Sequence, residues 1–181
     1  MKRAVIVLLL AASVAVGCRK KTTNAANLNA ANKVAVRMVR LYFETPQMLL
    51  AAEPRNIALA ESPAAAIPVV VRELMKGPAA GSVTSLRLFP ADTVVRGTYL
   101  LPGGTVVVDL GGATLTQGWG TGTHQELMAV YSLVQTLTTN FPDAKRVRIV
   151  VNGTPAETLA GHVSLSRSLV SLPSLVDPRS R

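Results

Sequence analysis

Cysteine is nearly missing from this chain: Cys18 is the only one among 181 residues. Export normally goes with even cysteine numbers and disulfides, so a lone thiol calls for its own explanation. Aromatic residues make up 4% of the chain and tryptophan occurs once, which leaves few rings for stacking on sugars or nucleobases. Histidine occurs twice, at His124 and His162. A zinc site draws on three or four ligands at recognisable spacing, and His124 and Glu126, two positions apart, would point in different directions on a helix. No Gly-x-Ser-x-Gly elbow occurs, only scattered serines such as Ser164, Ser166 and Ser168, which argues against a hydrolase of that type. Ten acids without a rich aromatic cleft disfavour paired-carboxylate glycoside hydrolysis.

What is abundant is aliphatic. Hydrophobic residues reach 49%, largely alanine, valine and leucine, and the length suits one domain with appendages. The net charge of +9 invites a nucleic-acid reading, but its distribution speaks against one. Arg19, Lys20, Lys21, Lys33, Arg37 and Arg40 all precede residue 41 with no acid among them, Arg179 and Arg181 close the chain, and residues 41–178 carry nine bases against ten acids. The folded part is nearly neutral, without a basic stripe or interleaved aromatics, so nucleic acid is excluded as a partner.

The positive charge therefore belongs mostly to a tether. Lys2 and Arg3 form a basic start, and Ala4 to Val16 form an apolar run of 13 residues, short of the roughly 20 that an ordinary spanning helix needs. Residues 1–17 are thus expected to be a signal peptide. Ala15-Val16-Gly17-Cys18 resembles the bacterial lipobox, which marks Cys18 as the acylation site and explains the single thiol. Residues 18–33 follow as a lipidated flexible linker, its Thr22–Lys33 part rich in asparagine and alanine and unable to bury enough apolar surface to offset its ordering entropy. Each base beside an anionic leaflet adds about 1 kcal/mol, so Arg19-Lys20-Lys21 can help hold the anchored end down.

A single domain is expected over residues 34–172. "VAVRMVRLYFE" reads as a first strand ending near Glu44, residues 45–54 as a loop, and "RNIALAE" (55–61) as a short return strand. Ser62-Pro63 then reads as an N-cap and first helical position. Ile67, Val70, Val71, Leu74 and Met75 hold helical spacing up to the Gly77-Pro78 stop. Pro68 would confine the regular helix to later residues or bend its first turn. Strands are expected over Thr93–Leu101 and Thr105–Leu110 around a Pro-Gly-Gly turn, the second apolar enough on both faces to lie inside the sheet. A long helix follows, with Leu127, Val130, Tyr131, Val134, Leu137 and Phe141 on one face and Met128, Ser132, Gln135 and Thr139 pointing elsewhere. "KRVRIVV", an Asn-Gly turn and "AETLAGH" complete a hairpin, and residues 173–181 form a tail. The order β-β-α-β-β-α-β-β predicts an α+β fold, a mostly antiparallel sheet with two helices on one face.

The stretch "GWGTGTHQEL" (118–127) is the most unusual in the chain. Its glycines lack the Gly-x-Gly-x-x-Gly spacing of a dinucleotide site, and no Gly-Lys-Ser/Thr follows, so no cofactor is called for. Thr123 and Glu126, three apart before an apolar run, read as a capping box. Trp119, flanked by Gly118 and Gly120, is either a plug on the core or an exposed anchor for a partner, and these three residues are the candidate partner-binding site.

Several segments together resemble the GerMN domain of the sporulation and spore germination family: "VRLYFE" (39–44), "VVRELMKGP" (70–78), "VVVDL" (106–110), "ELMAVYSLVQTLTTNFPDAKRVRIVVNG" (126–153) and "ETLAGHVSLSRSL" (157–169). The resemblance implies a small α/β domain similar to ring-building motifs, often carried by lipoproteins and not known for enzymatic activity. It offers no catalytic residue, and no metal or small-molecule substrate. The expected function is that of a lipid-anchored bacterial envelope protein that binds an envelope partner or itself. Such a chain would be exported and membrane-anchored, facing the periplasm or at the outer membrane where there are two membranes, and at the cell surface where there is one. The alternative is a peptidoglycan or glycan binder, or a weak hydrolase, using Asp109 or Glu126.

Overall fold

The computed structural model describes residues 33–82 and 86–180; Cys18 and the signal-peptide and linker readings that surround it lie outside these residues. The fold is α+β. Strands β1 (Val34–Glu44) and β2 (Leu50–Ala60) form an antiparallel hairpin, and β3 (Val94–Leu101), β4 (Thr105–Gly111), β5 (Arg146–Val151) and β6 (Thr154–Pro155) form a second sheet in that spatial order. All pairings are antiparallel except β4 with β5. The two main helices are α1 (Pro63–Met75) and α3 (Thr123–Asn140), with a five-residue α2 (Ala113–Gln117) between them. Helix α1 packs on β2 and β3, α3 packs on β1 and β5, and the two helices touch.

Alternation in the strands drives this arrangement. Val106, Val108 and Leu110 on β4, with Val147 and Ile149 on β5, bury one face of the second sheet. The hairpin starts and ends differently from its sequence signals. Strand β2 begins at Leu50 and runs through Pro54. Lys33 O accepts the Glu61 amide, so the alternation along the ladder leaves Arg40 and its partner Pro54 a pair without mutual hydrogen bonds. A proline there sacrifices no ladder bond.

Helix α1 likewise continues through Pro68. The bond lost at its nitrogen would have used the carbonyl of Ala64, which is exposed and can turn to water. Ser62 takes the N-cap position without a side-chain cap bond; its carbonyl accepts from Ala65 and Ala66 instead.

Helix α3 is buried on more than the expected face, while Leu127 and Tyr131 of that face are only half-buried. Met128 and Ser132, expected to point away from the core, are as enclosed as Val130 and Leu133, because β1 covers a second face of the helix. There Ser132 Oγ donates to Tyr42 O at 2.5 Å and Thr136 Oγ1 accepts from Tyr42 N at 3.1 Å. Truncating a core residue such as Leu133, with no exposed surface, would cost about 2–5 kcal/mol.

Two further segments differ from their sequence reading. "AETLAGH" forms no strand: pairing with β5 ends at Pro155, and the following backbone turns inward to bond a side chain of α3. The expected tail is docked, with Val176 and Asp177 buried, the Asp177 amide bonded to Leu50 O, and Val176 bridging Leu50.

Candidate functional site

The glycine-rich approach connects α2 to α3. Gly118 and Gly120 take φ of +109° and +55°, conformations that favour glycine. Both are exposed, and a Cβ on either would meet nothing within 4 Å. These glycines therefore serve the path of the chain, and no neighbouring group approaches them closely. Trp119 between them is half-buried, and its ring lies on that of Phe89 with centroids 6.2 Å apart and planes 15° from parallel. The indole is a plug at the rim of the core on one side and meets solvent on the other.

Both histidines act on this approach. His162 Nε2 lies 3.0 Å from Thr121 O, a hydrogen bond when the ring is protonated at Nε2. His124 Nε2 is 2.6 Å from Glu44 Oε1, tying the start of α3 to the end of β1. Thr121 Oγ1 donates to Gln125 Oε1 at 2.6 Å. The two histidine pairs span 41 and 80 positions, so neither could be read from spacing.

Glu126 overturns the capping-box reading. Gly122 is the N-cap residue and makes no side-chain cap bond, so Thr123 is already helical. The Glu126 side chain is fully buried and points across to the segment that failed to become a strand. Its Oε1 accepts from the amides of Leu159 (2.7 Å) and Ala160 (2.8 Å), and its Oε2 from those of His162 (2.8 Å) and Val163 (3.2 Å). Four amides meet the roughly four lone-pair sites of an ionised carboxylate, a backbone nest whose anion is the chain's own. Gly161, at φ +96°, supplies the turn, and its amide donates to Thr158 Oγ1 at 2.9 Å. The run Thr158 to His162 is thus a wrapping around Glu126.

Asp109, the other acid of the hydrolytic reading, is also engaged within the chain. Its Oδ1 accepts from Gly153 N at 2.8 Å and its Oδ2 lies 3.5 Å from Arg96 Nε, which steadies the Asn152-Gly153 turn between β5 and β6. Among the described residues no group of three or more His, Cys, Asp or Glu could hold a metal ion.

A charged cluster that sequence reading missed joins β2 to α1. Arg55 Nε and Nη2 donate to Glu53 at 2.8 and 2.5 Å, Nη1 donates to Glu73 at 3.1 Å and Nη2 to Gly77 O at 2.7 Å, while the guanidinium sits 5.5 Å from the centre of the Phe43 ring. Burial works to raise the Glu53 and Glu73 carboxyls, but hydrogen bonds from Ser82, Arg55 and the Ala79 amide to Glu53, and from Lys76 and Arg55 to Glu73, outweigh it and hold both below the usual range. The Glu53-x-Arg55 alternation places both side chains on one strand face, the only signal that could have suggested the pair.

The hairpin also exposes an apolar row. Val34, Val36 and Met38 at the free end of the hairpin are exposed by 60%, 71% and 65%. A shallow cavity of about 520 Å³ lies farther along the hairpin, between Thr45, Gln47 and Ala52 on one side and Asp177 and Arg179 on the other. Hydrogen bonds from Arg179 hold Asp177 down to about 2.

Comparison with known proteins agrees with this architecture. Solved structures share the fold. A candidate lipoprotein of Clostridium perfringens is 15% identical with a TM-score of 0.54, covering 80% of this chain and 93% of that one. The tandem GerMN domains of the sporulation protein GerM from Bacillus subtilis are 20% identical with a TM-score of 0.56, covering 75% of this chain and 46% of that one. The first GerMN domain of that same protein is 19% identical with a TM-score of 0.53, covering 75% of this chain and 97% of that one. No curated protein sequence matches the chain significantly. Residues 40–157 match the family described as Germane, sporulation and spore germination, and with well over half its length inside that match the chain belongs to the Germane family.

Proposed function

We propose that the chain is a lipid-anchored envelope module that acts by docking to protein and carries out no chemistry of its own. The observation that carries this reading is the use made of its polar groups: Glu126 and Asp109 are engaged by the chain's own amides, while apolar side chains stand exposed at the hairpin end. Carboxylates bonded in this way are poor general acids or bases, and exposed apolar strand residues suit a protein partner. Family membership agrees with a role in sporulation or germination machinery, and the lipobox-like Ala15-Val16-Gly17-Cys18 supplies the anchor. Trp119, flanked by Gly118 and Gly120, is a second contact point, since its outer face is open to solvent.

Palmitate labelling in a bacterial host tests the anchor: the parent is expected to incorporate label and fractionate with membranes, and Cys18→Ser to do neither. Equal labelling of the two would overturn the lipid attachment. A photo-crosslinking residue at position 119 or 36 is expected to trap protein in the intact envelope. Turnover of a cell-wall substrate that one side-chain replacement abolishes would overturn the non-catalytic reading.

A further inference from the structure

The outer edge of β1 is closed along half its length and open along the other half. Backbone groups of its even-numbered residues face away from β2, as the alternation set by the Lys33–Glu61 bond requires. From Tyr42 to Arg40 helix α3 satisfies them. Thr136 and Ser132 serve the Tyr42 amide and carbonyl, and Asn140 accepts from the Arg40 amide at 2.9 Å while donating to its carbonyl at 2.7 Å. The helix ends at Asn140, and the side-chain fence ends with it. The docked C-terminal segment covers the outer face of the same stretch, where Tyr42 is buried and its hydroxyl lies 3.5 Å from Ser180 O. Beyond Arg40 neither cover continues. Among the described residues, no group bonds the outward amides and carbonyls of Val34, Val36 and Met38, and their side chains are the most exposed apolar row on the hairpin.

We infer that two copies of this chain pair edge to edge through Val34–Met38 of β1, antiparallel about Val36, to make one continuous four-stranded sheet. The open edge admits a second copy in one register. With Val36 opposite Val36, each Val34 faces a Met38, so all three open residues of each copy become hydrogen-bonded pairs and no residue already bonded to Asn140 is called upon. A shift by two residues in one direction would require the sealed Arg40, and in the other would leave Met38 opposite position 32, which precedes the strand. The same register sets each Arg37 opposite an Ala35, so no like charges meet directly. Apolar residues line one face of the seam, as a self-complementary two-fold contact requires. The inference rests on the reading of the chain as a docking module, not on its acyl anchor.

Charge separates this occupant from a bilayer. Each copy brings Lys33, Arg37 and Arg40 to the seam, partly offset by the Lys33–Glu61 pair at 3.2 Å. Mutual repulsion of two such edges is screened by salt, so dimerisation strengthens as salt rises. An anionic membrane on the same strip would be held less tightly.

The test uses the full chain in mild detergent. Sedimentation is expected to show a monomer–dimer equilibrium whose dissociation constant falls several-fold between low and moderate salt. Val36→Pro removes an outward amide that β2 does not use, and Val36→Lys adds a charge at the two-fold; each is expected to weaken the dimer at least tenfold with the melting temperature little changed. In a Cys18→Ser background, Val36→Cys is expected to form a disulfide dimer on mild oxidation, because opposed hydrogen-bonded residues have Cα atoms about 5.5 Å apart, within disulfide reach. Val34→Cys is expected not to do so, since its two copies would lie roughly 14 Å apart along the strands. A monomer at every salt concentration, equal cross-linking at 34 and 36, or a salt-weakened association confined to vesicles containing anionic lipid would each overturn the inference. Trapping of another envelope protein in the intact cell alongside such a result would leave the docking reading standing.

Discussion

Replacing Glu126 with glutamine separates two accounts of the same residue. A glutamine satisfies a capping box as well as a glutamate does, so if Glu126 served the start of α3 the change would be nearly neutral. In the observed geometry the carboxylate accepts four amide protons, two at each oxygen. The amide of glutamine keeps one acceptor oxygen and turns an NH2 group toward the other two donors, so two hydrogen bonds to a charged acceptor are lost inside the core. At roughly 1.5–3 kcal/mol for each such bond, the expected loss is about 3–6 kcal/mol, a large share of the 5–15 kcal/mol of a typical domain. Urea unfolding followed by circular dichroism measures it. With a slope of about 1–3 kcal/mol per molar urea, the midpoint should fall by at least ~1 M, or the variant should fail to fold. Glu157→Gln, a change to an exposed acid on the same segment, is the control, expected to stay within ~0.5 kcal/mol. A Glu126→Gln chain within 1 kcal/mol of its parent would refute the account of this carboxylate as the clamp of residues 159–163.

Acid stability follows from carboxyls held below their usual range. The folded Glu53 and Glu73 have lowered pKa values, so the unfolded chain binds more protons; their contribution is complete above the ordinary glutamate range and is lost as pH falls through the folded values. Asp177 extends the same trend to about pH 2. In an acid titration of stability, Arg55→Met should lower the stability near neutral pH and shrink the part lost on acidification, because the folded pKa values of Glu53 and Glu73 move toward their unfolded ones; an unchanged acid-dependent loss would contradict the assigned partners. Glycine substitutions should divide by location: at Gly104, with φ +80°, a Cβ would stand 2.5 Å from Asp143 O and 2.7 Å from Lys145 Cγ. Gly104→Ala should therefore cost at least ~2 kcal/mol through strain and overlap together. Gly118→Ala, in open space, should cost only the conformational part, about 1–2 kcal/mol, and equal losses in thermal melts would be inconsistent with these surroundings.

Periodicity and turn chemistry, both local, carried much of the fold. The apolar run of β4, the alternation of β5, the helical spacing from Ile67 to Met75, the Pro-Gly-Gly turn and the Asn152-Gly153 turn, with both residues at positive φ, follow from side-chain period and backbone sterics that any short window contains. The β-β-α-β-β-α-β-β order and the family resemblance came from the same windows. Features decided by partners far along the chain were not legible. Helix α2 begins where Asp92 Oδ2 accepts the Thr114 amide at 2.9 Å, a cap supplied from 22 positions away. Ser132 and Thr136 are buried because they seal an edge 90 or more residues distant, and the residues after Pro155 leave the sheet because a buried glutamate on α3 offers their amides a better acceptor than an open strand edge. Sequence spacing identifies which residues share a face, but the closing of one chain segment on another decides which polar groups find each other and which edge stays open.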